Sequence, residues 1–280
     1  HGQSHHTTFA QVAADVLGID FDLIEVRHGD TDEVVRGGGT GGSRSLQTGG
    51  VAVHRASEAV VEDAKRVAAG LLEASADDVV LDVDSGVFSV AGSPTVHVGW
   101  VDVAAEAARI GEQLAEEVDF QPSEATFPFG VHASVVEVDR ETGQVSILRH
   151  VACDDAGIIV NPMIVDGQVH GGIAAGVAQA LMEEFRYADD GTPLTTNFMD
   201  YGIVSAVELP PFERIVQETP TEVNPLGVKG IGEAGTIGAM PAVQNAVVDA
   251  LAHLGVHHVD IPLVSQRVWE TIGSAVASKA

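Results

Sequence analysis

The chain has 280 residues, 45% of them hydrophobic, which is enough to bury the core of one large domain or two smaller ones. Its formal net charge of −27 argues against nucleic-acid and anionic-membrane partners, because phosphate groups bind to basic patches that this composition lacks. The single cysteine, Cys153, excludes a disulfide framework, a thiolate metal cage and an Fe–S cluster within the chain, and it favours a reducing, cytoplasmic location. No apolar run reaches the roughly 20 residues of a membrane-spanning helix.

The N-terminal part of the sequence mixes helical and strand patterns around a long glycine-rich segment. In chain order it predicts a helix at 5–18, a strand at 21–26, a glycine loop at 29–45, a long helix at 47–75, a hairpin turning at 84–86, a strand at 94–100 and an amphipathic helix at 100–117. A connector with two prolines at 119–130 then indicates a break.

The C-terminal part predicts two strands around a turn at 140–144, a helix at 165–185, a turn at 186–194, a helix beginning near Met240 and Pro241, and a last helix ending near 276. Helices and strands do not alternate strictly, which favours an α+β fold over a doubly wound sheet. We expect two mixed lobes, 1–120 and 121–280, with antiparallel sheets packed by helices.

The first lobe carries the glycine loop "GGGTGGSRS" at 37–45, directly before a predicted helix. Backbone N–H groups in such a loop, together with the positive end of a helix, suit an anionic group such as phosphate. The loop is neither a Walker A motif, which ends in Gly-Lys-Ser/Thr, nor the Gly-x-Gly-x-x-Gly of a Rossmann unit. A flexible or capping loop without a ligand is the alternative.

Two further glycine clusters lie in the second lobe. Gly171, Gly172 and Gly176 recur at helical spacing, which allows close approach by a flat ligand or by a second helix. The segment 227–241, "GVKGIGEAGTIGAMP", surrounds one carboxylate, Glu233, with glycines. A partly desolvated Glu233 could act as a general base, whereas the plainer interpretation is a helix cap or an ion pair with Lys229.

The histidines give no metal-binding pattern. His253 and His257 are four residues apart, but no acidic residue completes a His-Glu-x-x-His motif. A Gly-x-Ser-x-Gly nucleophile motif is also absent from the sequence, which argues against a hydrolase triad.

Six segments in this order resemble one known family: "GQSHHTTFAQVAADVLGI", "GDTD", "GGGTGGSRS", "TFPFGVHASVVEVDRETGQV", "NPMIVDGQVHGG" and "NPLGVKGIGEAGTIG". The chain resembles the C-terminal half of the molybdenum-binding large subunit of the xanthine dehydrogenase, aldehyde oxidase and aerobic carbon monoxide dehydrogenase family. The resemblance covers essentially the whole chain and implies a fold of the molybdenum cofactor-binding type. The chain departs from the usual pattern at Ser4, where glycine is common, and at Ala175, where glutamine is common.

The resemblance also implies site residues. Glu233 matches the catalytic glutamate of the family, the general base in oxidative hydroxylation of an aldehyde, an N-heterocycle or a similar small substrate with water as oxygen source. The residues that match the cofactor-binding positions are Gln3, Gly41, Gly42, Ser43, Arg44 and Ser45. The implied cofactor is molybdopterin with molybdenum, in its cytosine dinucleotide form.

The family further implies partners: the remaining part of the large subunit, an Fe–S subunit and an FAD subunit, assembled as a dimer of heterotrimers. Fe–S clusters and FAD are expected only on those partner subunits. The sequence opens without methionine on a helical pattern, which indicates a piece of a longer polypeptide or a split subunit. The alternative function is therefore a cofactor-free module that is inactive alone and only docks with its sister polypeptide.

Overall fold

The computed structural model describes residues 1–34 and 36–278; Val35, inside the predicted loop at 29–45, lies outside the described residues. Within the described part, the α-helices are α1 (His5–Leu17), α2 (Val51–Leu72), α3 (Trp100–Ile110), α4 (Pro162–Leu181), α5 (Ala234–Leu251) and α6 (Ser265–Ala277). A short π-helical segment, Leu46–Gly50, leads into α2, so helical turns begin directly after the glycine loop.

The strands of the described residues form two three-stranded sheets. The first contains β1 (Val79–Asp82), β2 (Val87–Val90) and β3 (Ser93–Gly99), and all its pairs are antiparallel. The second contains β4 (Gly130–Val138), β5 (Val145–Asp155) and β6 (Phe212–Gln217). This architecture confirms the predicted α+β class.

Contacts divide the described chain into two units. The first comprises His1–Ala125 with Thr221–Val228, and the second comprises Thr126–Pro220 with Lys229–Ala280. Helices α1–α3 and the first sheet lie in the first unit, and α4–α6 with the second sheet lie in the other.

The core of the first unit forms where α2 and α3 pack on the first sheet. Phe88 of β2 is fully buried there, and its ring contacts Trp100 edge-on with the centroids 4.9 Å apart. The indole nitrogen of Trp100 donates to the carbonyl of Leu17 at 2.8 Å, which fixes the end of α1. At the next position, Gly18 adopts φ 61°, and an added Cβ would lie 2.6 Å from the carbonyl oxygen of Val83, so only glycine fits.

The core of the second unit is built by helices whose apolar residues recur every four positions, which places them on one face. These buried residues are Val169, Ile173 and Val177 on α4, and Val243, Val247 and Leu251 on α5. The small residues of α4 let α5 approach closely: a Cβ on Gly172 would lie 3.0 Å from the Cα of Gly235, and one on Gly176 would lie 2.8 Å from the carbonyl oxygen of Thr236. Helix packing, one of the two alternatives for this glycine cluster, therefore accounts for Gly172 and Gly176.

Three details of the predicted elements are wrong. The segment 21–26 is a 3-10 turn, Phe21–Leu23, followed by irregular chain rather than a strand. The second sheet is mixed rather than antiparallel, because β6, which the sequence analysis did not identify, pairs with β5 in parallel. Helix α5 begins at Ala234 instead of near Met240, and it contains Pro241 in its interior.

Candidate functional site

The first candidate residue, Gln3, lies two residues before α1. Its Oε1 atom is buried and has no hydrogen-bond partner among residues 1–34 and 36–278. A buried acceptor without a partner costs about 1–3 kcal/mol, so such groups usually have a partner. Gln3 therefore fits a bound molecule that presents a hydrogen-bond donor.

The next residue, Ser4, occupies the N-cap position of α1 in the left-handed conformation, with φ 58°. Glycine adopts this conformation without the steric cost that a side chain brings. The family's usual glycine therefore matches the backbone observed at this position, and Ser4 adopts the same turn with a side chain.

The glycine loop at 37–45 is mostly exposed and turns sharply before the helix. Gly42 has φ 63° and Ser43 has φ 53°, so two successive residues are left-handed. The hydroxyl groups of Thr40 and Ser45 lie 2.9 Å apart and connect the two sides of the loop. A Cβ on Gly41 or Gly42 would meet no described atom within 4 Å.

Helical turns starting at Leu46 follow the loop, so the N-terminal end of a helix lies next to it. The positive end of a helix attracts anions. The loop and the helix start therefore offer groups that suit a phosphate, and phosphate binding by this loop stays a prediction.

Glu233 is the N-cap residue of α5 and is exposed in this chain. Its side chain makes no capping hydrogen bond, and its carbonyl oxygen accepts from the N–H of Ile237 at 3.0 Å. The sequence predicted a helix start near Met240, about two turns after Glu233, but α5 starts at the adjacent residue, Ala234. The desolvation expected from the glycine-rich sequence is also absent within this chain, since Glu233 is exposed.

Lys229, which the sequence suggests as an ion-pair partner of Glu233, forms a buried ion pair with Asp155. Its Nζ donates to Oδ2 of Asp155 at 2.6 Å, and the two side chains are 9% and 0% exposed. Burial alone would raise the pKa of Asp155, but hydrogen bonds from Lys229 and from the backbone N–H groups of Thr219 and Gly157 hold that pKa below its ordinary value. Asp155 is therefore a buried anionic anchor for the segment that leads to Glu233.

Beside this pair lies a buried polar chain that the sequence analysis missed. Asp154 contacts Nε2 of His132 at 3.2 Å, Nδ1 of His132 lies 3.2 Å from Nε2 of His150, and Nδ1 of His150 lies 2.7 Å from the hydroxyl oxygen of Ser134. Burial, reinforced by His132 and partly offset by Asp154, lowers the pKa of His150 to about 4. The sequence signal that could have revealed this polar chain is the alternation of side chains along the paired strands β4 and β5. Every second residue of a strand lies on the same face, which brings these side chains together.

Within the described part of the chain, His, Cys, Asp and Glu side chains form no group of three or more that could hold a metal ion. Of the C-terminal histidines, His258 instead lies 2.8 Å from the carboxylate of Asp260. The described helices include none whose length and apolar character would let it cross a membrane.

The predicted site residues thus fall into two groups. Gln3 and the loop residues at 41–45 belong to the first unit, and Glu233 belongs to the second. Each group is carried by the start of a helix, α1 and the turns before α2 in one unit and α5 in the other.

The sequence profile described as "Molybdopterin cofactor-binding domain" matches residues 1–210. The chain belongs to this family. Its resemblance to the xanthine dehydrogenase and carbon monoxide dehydrogenase family, read from the six segments, is confirmed.

Similar proteins extend the match along nearly the whole chain. The carbon monoxide dehydrogenase large chain of Hydrogenophaga pseudoflava is 38% identical over 276 residues, covering 97% of this chain and 34% of that one. The nicotine 6-hydroxylase large subunit of Paenarthrobacter nicotinovorans is 39% identical over 277 residues, covering 95% and 34%. The solved structure of reconstituted CO dehydrogenase from Oligotropha carboxidovorans matches with a TM-score of 0.90 at 35% identity, covering 100% and 35%.

The chain spans about a third of the length of the curated relatives it matches. The activity, substrates and partners of those longer proteins therefore enter as proposals for this chain.

Proposed function

We propose that the chain is the cofactor-binding portion of a molybdenum hydroxylase large subunit that oxidatively hydroxylates a small substrate, such as an aldehyde or an N-heterocycle. The observation that carries the proposal is the similarity, over 95–97% of the chain, to large subunits that include a carbon monoxide dehydrogenase and a nicotine 6-hydroxylase. Water is the oxygen source in the proposed reaction.

The residues present fit a molybdopterin cofactor. The orphaned Oε1 of Gln3 requires a donor from outside the described chain, and the exposed glycine loop at 41–45 offers N–H groups and hydroxyl groups to a phosphate. Gln3, Gly41, Gly42, Ser43, Arg44 and Ser45 would hold the cofactor, for which we propose the cytosine dinucleotide form. When bound, the cofactor supplies two-electron redox chemistry and Lewis acidity.

In this proposal Glu233 is the general base: a carboxylate oxygen accepts the proton of the attacking oxygen nucleophile. The exposed N-cap position leaves the carboxylate accessible to a reactant. We assign the two predicted lobes accordingly, 1–120 as the first cofactor-binding lobe and 121–280 as the lobe carrying the catalytic loop at 227–241.

The partners follow from the same family. We propose that this chain assembles with the remaining part of the large subunit, an Fe–S subunit and an FAD subunit, as a cytoplasmic dimer of heterotrimers. The Fe–S and FAD centres would accept the electrons on those partner subunits.

The substitution Glu233→Gln tests the catalytic role in the cofactor-loaded complex. The amide keeps the shape of the side chain but cannot serve as a base, so kcat should fall by about 10²–10⁴-fold. Molybdenum content, measured by elemental analysis, should remain that of the wild type.

The matched control is Glu270→Gln, which changes an exposed carboxylate on α6 and should leave turnover unchanged. Wild-type turnover in Glu233→Gln would exclude this residue as the base.

A second candidate function is a cofactor-free docking module. It is favoured by the exposure of most of the glycine loop at 37–45, in which only Ser43 and Ser45 are partly buried. Molybdenum analysis of the chain with and without the remaining part of the large subunit separates the two candidates.

A further inference from the structure

The backbone that carries Glu233 is attached to the second sheet through Lys229, four residues earlier. The N–H of Lys229 donates to the carbonyl oxygen of Ala156 at 2.8 Å, and its Nζ donates to Oδ2 of Asp155 at 2.6 Å. Main chain and side chain of one residue are thus both bound at the end of β5. The ammonium group also lies over the ring of Phe129, 5.2 Å from its centroid.

Asp155 is itself held rigidly. Its Oδ1 accepts hydrogen bonds from the N–H groups of Gly157 at 3.0 Å and Thr219 at 2.8 Å, which leaves Oδ2 directed to Lys229. One fully buried carboxylate therefore joins the end of β5, the chain after β6 and the segment leading to Glu233. Hydrogen bonds to an ionised group are shorter and stronger than neutral ones, so this junction has little freedom.

The chain is fixed again directly after Glu233. The hydroxyl group of Thr236 donates to the carbonyl of Gly172 on α4 at 3.0 Å. A Cβ on Gly235 would lie 2.5 Å from the carbonyl oxygen of Val169, so the first turn of α5 lies tightly against α4. Gly232 and Glu233 are exposed between these two buried attachments.

We propose that the buried Lys229–Asp155 pair is a positioning device that fixes the exposed Glu233 carboxylate in its reactive geometry. The inference rests on the proposed function, because it assigns a role toward the base of that reaction. Lys229 and Asp155 act through the backbone of Glu233 and are not themselves catalytic. The glycines at 230 and 232 explain why such a clamp is needed, since they leave the connecting segment without side chains that could stiffen it.

The test uses Lys229→Met and Asp155→Asn in the cofactor-loaded complex. A displacement of about 1 Å of a reacting group can reduce turnover by 10²-fold, so we expect kcat to fall about a hundredfold. KM should stay within about twofold and molybdenum content should be unchanged, because substrate and cofactor contacts are not removed. Lys229→Arg, which keeps a cation for Asp155, should restore most of the lost kcat.

The control is Arg149→Met. This variant removes the ion pair between Arg149 and Glu213 of the same sheet, whose two side chains are 59% and 51% exposed. An exposed pair contributes little, so kcat should remain within about twofold.

Hydrogen–deuterium exchange supplies a measurement that does not depend on turnover. In Lys229→Met, amides at 230–239 should exchange on the order of tenfold faster than in the wild type, whereas Arg149→Met should leave them unchanged. If Glu233→Gln kept wild-type turnover, the catalytic proposal would fail, and the exchange result would still show whether the pair holds the segment.

The proposal would be overturned if the amides at 230–239 of Lys229→Met exchanged at the wild-type rate. It would also be overturned if these amides exchanged faster while kcat of the variant was undiminished. If Lys229→Met fails to fold because a buried carboxylate is left unpaired, the double variant Asp155→Asn/Lys229→Met removes both charges. Low kcat with fast exchange in the double variant supports the proposal, and wild-type values of both overturn it.

Discussion

His150 is fully buried in the polar chain between Ser134 and His132, and burial is the main reason that its pKa falls to about 4. A neutral imidazole is therefore part of the folded state at neutral pH. Protonation of His150 would place a positive charge next to His132 in the interior of the second unit. The free-energy cost of this buried charge is offset only partly by Asp154.

The stability of the chain should decrease in mild acid for this reason. The unfolded imidazole has a pKa near 6.5 and the folded one near 4, so the unfolded state takes up the proton first as pH falls. The contribution of His150 to the free energy of unfolding should be constant above pH 6.5 and should decrease between pH 6.5 and 4. Below pH 4 the total decrease should stay on the order of 3 kcal/mol. Urea unfolding at pH 7.5 and pH 4.5 measures it.

His150→Gln removes the titrating group, so it should flatten the dependence over that window. His257→Gln, which changes an exposed imidazole, should keep the wild-type dependence. A wild-type loss of stability in His150→Gln would assign the effect to other groups.

Some candidate site residues could be proposed from the sequence, whereas the buried contacts around them could not. Glu233 and the glycine loop were proposed because their local motifs are continuous in the chain, and their roles stay predictions. The contacts of His132 with His150 and Asp154, and of Lys229 with Asp155, join residues 18 to 74 positions apart. Such partners become visible only when strand pairing and register are known.

Helices were predicted more reliably than strands because their periodic patterns are long. Helix α1 ends at Leu17 with Gly18 as its cap, as the sequence indicated. Strand β6 has only six residues and is largely exposed, so it shows no apolar run, and its parallel partner β5 is distant in sequence. The segment 21–26 became a turn because Asp20 accepts a hydrogen bond from the N–H of Asp22 at 3.0 Å.

The contact between α4 and α5 gives a prediction at a single glycine. An added Cβ on Gly176 would lie 2.8 Å from a carbonyl oxygen of α5 and 3.0 Å from the Cβ of Ala239. Gly176→Ala should therefore force the helices apart and lower the free energy of unfolding by about 1–3 kcal/mol. Urea unfolding at neutral pH measures the change.

Gly171→Ala is the matched control on the same helix. This residue is exposed, and its added methyl group would meet no described atom within 4 Å. Alanine is the better helix former, so the variant should gain about 0.4–1 kcal/mol. Equal effects at both positions would contradict close packing of α4 and α5 as the reason for Gly176.

The molecule as a whole exposes features that isolated globular proteins usually cover. Large apolar side chains with more than three quarters of their surface exposed include Phe127, Phe198 and Met199. Such exposed apolar surfaces agree with the proposed contact with the remaining part of the large subunit. The net charge of −27 adds self-repulsion that basic groups on a partner would relieve.

Cofactor retention should therefore depend on the remaining part of the large subunit. Within this chain, the residues assigned to the cofactor are Gln3 and an exposed loop at 41–45, and the glycines of that loop have no described atoms packed against their open side. A ligand held from one side only stays solvated and dissociates easily, whereas binding sites bury most of the ligand surface. The purified chain should contain far less than one molybdenum atom per molecule, and co-expression with the remaining part should bring the content close to one. Elemental analysis of both preparations decides the matter, and stoichiometric molybdenum in the chain alone would show that the loop and Gln3 suffice.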